Sequence, residues 1–420
     1  MNHFINKELF NRLVSKYGTP LFVYKSDEIT GTIQSMQDTI GEDVRIYYSV
    51  KANLNPTLLR LIASAGCGFE VASAGELDVV LASGIHPSNI IFAGPGKRKD
   101  ELLFAAKADI DIFNVESLNE ILLLENIGHQ LNRIIKICLR LNLAMGDFEY
   151  RRQIHWFTVN QFGIEEESLL SILETLSKLK HIKCIGVHLH SASEILDAEV
   201  LGKYLKWLME KSFFYKEYMN LEIINLGGGW GQPQYADEKP LDIVAVKKVF
   251  SEIFRQYPDL ENRKTKLFIE SGRFLIGGAG YYIARVVDVK TCRGKNFVVL
   301  DGGINHCLFK SNTFRAVNRP VSVYTLKSNP NVRPYEIVGP LCTPIDKLAS
   351  SVFMPDDIQP DDIVYFSNCG AYTKASSSLN FLGHPWPTEI LIKDEDECVI
   401  AKSVEMIELM KLQGAFNTIE

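Results

Sequence analysis

Residues 45–53 read RIYYSVKAN, a β-branched and aromatic run that closes on a lysine just before the helical pattern PTLLRLIASAG. Arg45, Ile46, Tyr47, Tyr48, Ser49 and Val50 suit a pleated, mostly buried surface, so a strand accounts for most of the stretch. Lys51 is the anomaly. A lysine at the end of such a strand either snorkels to solvent or takes part in chemistry.

The same unit recurs along the chain. Strand-like runs fall at 68–72, 90–93, 111–115, 133–142, 182–190, 221–226 and 266–270. Helical patterns fill the gaps: AGELDVVLASG, KDELLFAAKA, SLNEILLLENI, EESLLSILETLSKL, the stretch 198–218 and DIVAVKKVFSEIF. Strands alternating with helices imply parallel βαβ units, and eight of them over about 225 residues fit a TIM (β/α)8 barrel. After residue 280 the texture changes to short β-rich runs, YYIARVVDVKT, NFVVLDGG, VSVYTL and DIVYFSN, separated by Pro, Asn, Asp and Gly. That is the pattern of an antiparallel β domain. The expected fold is therefore α/β, with a TIM barrel over residues 26–280 and a C-terminal antiparallel β domain over 281–420, which residues 1–25 join. The stretch 143–161 reads as an exposed loop and 391–420 as an acidic, solvated terminal helix.

Composition narrows the function. The 420 residues are 46% hydrophobic and 23% charged, with a formal charge of −6 and no block of Lys and Arg. This argues against a nucleic-acid partner and for small-molecule chemistry. The N-terminus has no basic stretch followed by an apolar run, and no window approaches eighteen uninterrupted apolar residues, so a cytoplasmic protein without a membrane partner is expected. Eight cysteines, none in a Cys-x-x-Cys pair, speak against a zinc or disulfide framework, and no metal is expected.

Active sites of this barrel lie at the C-terminal ends of the strands. Lys51 ends the first run, His188 and His190 the sixth, Gly227, Gly228 and Gly229 follow the seventh, and Glu270 and Arg273 follow the eighth. All should meet at one rim. Triple glycine after a strand lets amides approach a phosphate, although a tight turn explains it equally, and Arg273 can add charge-assisted hydrogen bonds. A lysine held near a phosphate can form a Schiff base, and phosphate plus aldehyde suggests pyridoxal 5′-phosphate.

The motifs YYSVKAN, GFEVASAGEL, HLHSAS, LGGGW, ESGR, GPLCTPID and CGAY occur in the order found in fold-III, alanine-racemase-like pyridoxal-phosphate decarboxylases, the ornithine and diaminopimelate type, which the chain resembles from about residue 20 to residue 390. The resemblance implies that Lys51 holds the cofactor covalently and that His190 stacks on its ring. It implies phosphate contacts from Ser193, Gly227, Gly228, Gly229, Arg273 and Tyr372. Glu270 would face the pyridine nitrogen. Cys342 would come from the partner subunit of a homodimer with shared active sites. These roles are chemically consistent: an ionised Glu270 keeps the nitrogen protonated, and a thiol, mostly protonated at neutral pH, can act as a general acid.

Departures bear on the substrate. Diaminopimelate decarboxylases usually carry Cys-Glu-Ser where this chain has Cys342, Thr343 and Pro344, Ala192 replaces a usual glycine, and Ser271 a usual proline. GPLCTPID with SSSLNFLGHPWPTEIL looks more like the secondary-metabolism branch, which includes decarboxylases of glutamyl carrier proteins and of citryl-diaminopropionate conjugates. The expected substrate is thus an amino acid, free or tethered to a carrier protein. Arg319 stands where relatives place a carboxylate-binding arginine, and Asp346 could meet a substrate amine; both could equally be surface charges. The alternatives are a diaminopimelate or other basic amino-acid decarboxylase, a fold-III racemase, and a noncatalytic relative. Glu270 and Cys342 weigh against the racemase, and the presence of both Lys51 and Cys342 against the noncatalytic relative.

Overall fold

Each of the eight runs is a strand in the computed structural model, which describes residues 7–144, 160–308 and 321–414. They are Val44–Ser49 (β1), Gly68–Val71 (β2), Ile90–Phe92 (β3), Ile112–Val115 (β4), Ile135–Asn142 (β5), Ile182–Leu189 (β6), Ile223–Asn225 (β7) and Lys266–Ser271 (β8). Neighbours pair in parallel in that order, and β8 returns to β1 with Glu270 opposite Tyr47, so the sheet closes into a barrel. Tyr47, Ile91, Ile112, Cys138, Ile185, Ile223 and Phe268 form one buried cluster, with the Tyr47 and Phe268 rings 4.9 Å apart. Removing such side chains from water contributes roughly 1.5–3 kcal/mol each. Gly186 is dictated by closure: a Cβ there would stand 2.0 Å from the Ile223 carbonyl oxygen on β7.

The strands hand over to helices through caps. Asn55, Ser73, Ser117, Asp197 and Asp242 each accept a backbone amide at the start of the following helix, worth ~1 kcal/mol apiece. The helix Ser26–Ile40 had no counterpart in the sequence reading. Its polar composition hides the stripe Ile29, Ile33, Met36 and Ile40, which is buried at helical spacing. Thr30–Gln232 and Lys239–Leu275 make up this unit.

A second unit comprises Met1–Ile29, Pro233–Glu238 and Ile276–Glu420. Its labelled strands are Gly280–Cys292 (β9), Lys295–Leu300 (β10), Val323–Thr325 (β11), Val332–Val338 (β12), Lys347–Pro355 (β13), Ile363–Phe366 (β14), Thr388–Lys393 (β15) and Asp396–Ala401 (β16). Leu21–Lys25 lies between β9 and β15, antiparallel to the first and parallel to the second. Apart from this parallel pair and that of β10 with β12, the ladders are antiparallel. Phe10, Leu13, Val14, Leu21, Val23, Tyr281, Ile283, Ile363, Ile390 and Ile392 form its core.

The acidic stretch near the C-terminus departs from expectation. KDEDE spans the tip of the β15–β16 hairpin, whose turn is Asp394 and Glu395 with Asp394 at φ 56°, and among the described residues that follow only Met406–Leu412 is helical. Ile390, Leu391 and Ile392, a continuous apolar run ahead of the acids, supply the β signal that the acids mask. Most of the 143–161 insertion lies outside the described residues. No helix among the described residues is long and apolar enough to cross a membrane.

Candidate active site

Lys51 stands in the short turn Val50–Ala52 directly after β1. The turn stops because Asn53 and Asn55 return to extended backbone, and Asn55 caps the next helix through the Thr57 amide at 2.9 Å, ahead of Pro56. The lysine side chain is 45% exposed, and its Nζ lies 3.4 Å from Oε2 of Glu70, a carboxylate on β2 that is only 3% exposed.

Glu270 projects from β8 into a buried polar cluster. Asn225, the last residue of β7, donates Nδ2 to Oε1 at 2.8 Å, and Asn114 on β4 reaches the same oxygen at 3.5 Å. His188 Nε2 lies 3.5 Å from Oε2, and neither of its buried ring nitrogens meets a geometric hydrogen-bond partner among the described residues. Burial pushes the Glu270 carboxyl up, but His188, His190 and Lys51 together outweigh it and hold the group well below the usual carboxylate range. Glu270 is therefore ionised, with acceptor capacity left on Oε2.

His190 follows β6 with its ring nearly parallel to that of His188, at 16° and 6.4 Å between centroids. Burial, and then the Arg140 guanidinium, pull it well below the ordinary imidazole value, so it is neutral at pH 7. Its Nδ1 accepts the Gly228 amide at 2.9 Å. Gly227 has φ 62°, and a Cβ there would lie 2.6 Å from the His190 Cβ. Glycine lets the β7 turn pass against the imidazole.

The three glycine amides are not equivalent. Gly227 donates to Asn225 Oδ1 at 2.9 Å and Gly228 to His190, so only the Gly229 amide is committed to neither. The first two amides thus hold the turn against Asn225 and His190. Beside them, Ile195 bonds to Gly229 and Gly231 in a parallel bridge, which brings Ser193 and Glu194 to the same turn. Arg273, its side chain 13% exposed, pairs with Glu194 at 3.1 Å, and Glu194 adopts φ 61°.

A second cluster of charges, which the sequence reading missed, is buried around the ends of β3, β4 and β5. Arg140 pairs with Glu116 at 2.7 Å and Lys97 with Glu120 at 2.9 Å, all with side chains at most 9% exposed. Glu116 also accepts the amides of Gly94 and Gly163 at 3.0 and 2.9 Å. The signal was present as Arg140 inside the apolar run ICLRLN, because a buried charge requires a partner. Glu70, Asn114 and Asn225, polar residues in or at the end of apolar strands, carried the same signal.

Lys51, His190, Ser193, Gly227 to Gly229, Glu270 and Arg273 thus gather in the barrel unit, whereas Cys342, Tyr372 and Asp346 belong to the β unit. Cys342 is exposed on the loop between β12 and β13, and Tyr372 takes φ 54° in a turn. Arg319 lies outside the described residues. Asp346 requires a correction. It is 3% exposed, and its oxygens accept the amides of Ile304 and Leu341, each at 2.8 Å. A carboxylate so enclosed is neither a surface charge nor turned toward a substrate amine.

The barrel residues suit pyridoxal 5′-phosphate: an amine for its aldehyde, an ionised carboxylate with acceptor capacity for a ring N–H, a flat neutral imidazole, and an amide and guanidinium for phosphate. Residues 26–277 match the pyridoxal binding domain of the pyridoxal-dependent decarboxylases. The chain is 32% identical over 396 residues to the L-glutamyl-(BtrI acyl-carrier protein) decarboxylase of Niallia circulans, covering 90% of each. It is also 32% identical to the 2-((L-alanin-3-ylcarbamoyl)methyl)-2-hydroxybutanedioate decarboxylase of Staphylococcus aureus, covering 90% of this chain and 94% of that one. Diaminopimelate decarboxylase from Helicobacter pylori, solved with L-lysine, superposes with a TM-score of 0.84 at 25% identity, over 97% of this chain and 99% of that one.

Proposed function

The chain belongs to the pyridoxal-dependent decarboxylases and uses pyridoxal 5′-phosphate; from that premise we propose that it removes the α-carboxylate of an amino-acid conjugate whose distal end is acylated, in siderophore- or antibiotic-type secondary metabolism. The observation that carries this reading is the chemistry of one loop tip. Cys342, Pro344 and Ile345 are exposed, Thr343 is partly so, and the loop's sole carboxylate, Asp346, is buried. A tip without charge offers nothing to a distal ammonium such as that of diaminopimelate. Nor does it repel a glutamyl group carried on a protein, or the carbamoyl and hydroxybutanedioate groups, which the names of the Niallia and Staphylococcus relatives give for their substrates.

The proposed roles follow from the groups present. Lys51 Nζ is the amine that would hold the cofactor through its aldehyde, and Glu70 beside it accepts from the ammonium form. Glu270, anchored by Asn225, would keep a proton on the pyridine nitrogen. His190, its orientation fixed by the Gly228 amide, would flank the ring. Arg273, Ser193 and the glycine turn Gly227 to Gly229 would bind the phosphate, joined by Tyr372 of a second copy. When bound, the pyridoxal ring supplies an electron sink for the pair that carbon dioxide leaves behind. Cys342 of a second copy then gives its thiol proton to the substrate carbon, so a homodimer has two shared sites.

The test is carbon dioxide release with pyridoxal phosphate on a glutamyl-loaded carrier protein, a citryl-diaminopropionate conjugate and meso-diaminopimelate. The expected result is release from a conjugate, lost by a factor on the order of 10³ or more in Lys51→Ala and slowed in Cys342→Ala. Release from diaminopimelate alone, or activity that survives Lys51→Ala, would overturn the reading.

A further inference from the structure

We infer that Asp346 is the positioning residue for Cys342: its buried carboxylate ties the backbone beside the thiol to the Gly303–Ile304 turn and fixes where the thiol proton is delivered. The inference rests on the proposed role of Cys342 as proton donor and deepens it.

The loop Gly339 to Asp346 connects two antiparallel strands, β12 and β13, whose register closes with Val338 opposite Lys347. Eight residues without a ladder, exposed at Cys342, Pro344 and Ile345, leave a catalytic group with many available positions. The loop contains its own restraint. Asp346 Oδ2 accepts the amide of Leu341, the residue before Cys342, and Oδ1 accepts the amide of Ile304 from a separate segment. Main-chain bonds close the circuit, from Gly339 N to Asp346 O at 3.1 Å and from Asp346 N to Thr343 O at 3.2 Å.

Two glycines make room for this carboxylate. A Cβ on Gly303 would stand 2.3 Å from Oδ1, and one on Gly339 would stand 2.4 Å from Oδ2 and from the Gly303 Cα. Burying a carboxylate is costly, and burial does push the Asp346 carboxyl up. Cys342, by contrast, stays exposed one residue from the clamp. A loop that needed only to be folded could close with an apolar side chain at this position. A carboxylate is the side chain that accepts from two amides at once, and one of those amides adjoins the thiol.

The discriminating variant is Asp346→Asn, nearly isosteric, which keeps one acceptor and sets an NH2 against the other amide. In the holoenzyme, kcat should fall about 10–100-fold with little change in KM, because a small displacement of a reacting group costs that much. Amide exchange should accelerate by about 10-fold or more at Leu341, within loop 339–346 only. Faster exchange throughout the β unit, or loss of kcat only in proportion to unfolded protein, would overturn the positioning role. Should Asp346→Asn fail to fold, Leu341 exchange in the unaltered protein decides: protection far above that of neighbouring loop amides is expected, and its absence contradicts the inference. Cys342→Ala separates the two readings. Unchanged kcat in that variant sinks the thiol as proton donor. A slowed Cys342→Ala beside an Asp346→Asn with normal kcat and normal exchange sinks only the inference.

Discussion

The barrel unit and the β unit present polar groups in opposite ways. In the barrel, Glu270, His188, Asn225, Arg140 and Glu116 stand on strands or at their ends, buried and facing one another. In the β unit, Cys342 and Tyr372 stand on a hairpin loop and a left-handed turn, and the group that holds the loop is buried behind it. Regular ladders set the position of the first group to within the register of the sheet. The second depends on a few side-chain bonds to irregular backbone. Chemistry common to the family fits the rigid unit, and substrate discrimination fits the loop that can change without disturbing a core.

The largest expected effect tests whether the barrel charges act as one buried body. Arg140→Leu leaves Glu116 charged and unpaired, and denaturant unfolding should show a loss of about 3–5 kcal/mol. A loss below about 1 kcal/mol would mean that water reaches the pair and that the contrast between the units is wrong.

Next comes the electrostatics of Glu270. With His188→Leu, the main group lowering the Glu270 carboxyl is gone while the opposing effect of burial remains, so its pKa rises. In the role proposed for Glu270 the ionised form is the active one. The acidic limb of the kcat profile should therefore move to higher pH. Stability follows the same sign. A depressed carboxyl contributes stability that is present above its unfolded value, about 4.3, and is lost as pH falls toward the folded one, and His188→Leu removes that contribution. An unmoved limb would show that the 3.5 Å approach has no electrostatic consequence.

These two cases also show what could be read beforehand. The barrel was legible because its strands alternate with helices at a regular spacing, and Lys51, His190 and Glu270 fall at strand ends, where the geometry places them together. Asn225 and His188 were not legible as partners of Glu270, because register across a closed sheet is not a local property of either segment. The β15–β16 hairpin was hidden by its acids, whose turn at Asp394 requires a left-handed residue that sequence alone does not mark. Asp346 was misread for a related reason. Its two partners lie five and forty-two positions away along the chain, and only the fold brings them to one carboxylate.

A smaller effect sharpens the loop side of the comparison. Thr343→Glu installs a charge on the neutral tip, which should raise kcat/KM for meso-diaminopimelate and lower it for a citryl conjugate, each by about 10-fold. Unchanged ratios would remove the tip from substrate selection.

The smallest concerns the surface of the β unit, where Arg12 meets Glu397 at 2.7 Å with the arginine 57% exposed. Arg12→Ala should cost at most about 1 kcal/mol, since a screened pair gains little and Lys16 remains at 2.9 Å. Comparing its unfolding curve with that of Arg140→Leu measures the difference between the two kinds of pair within one molecule.

The central claim is that a neutral loop tip on a pyridoxal-dependent decarboxylase selects a conjugated substrate. Its most direct test is a competition in one reaction vessel between meso-diaminopimelate and a glutamyl-loaded carrier protein or citryl-diaminopropionate conjugate, read as the ratio of kcat/KM values from labelled carbon dioxide. A ratio of about 10² or more in favour of a conjugate is the predicted result. A ratio favouring diaminopimelate would contradict it and place the chain among the decarboxylases of free diamino acids.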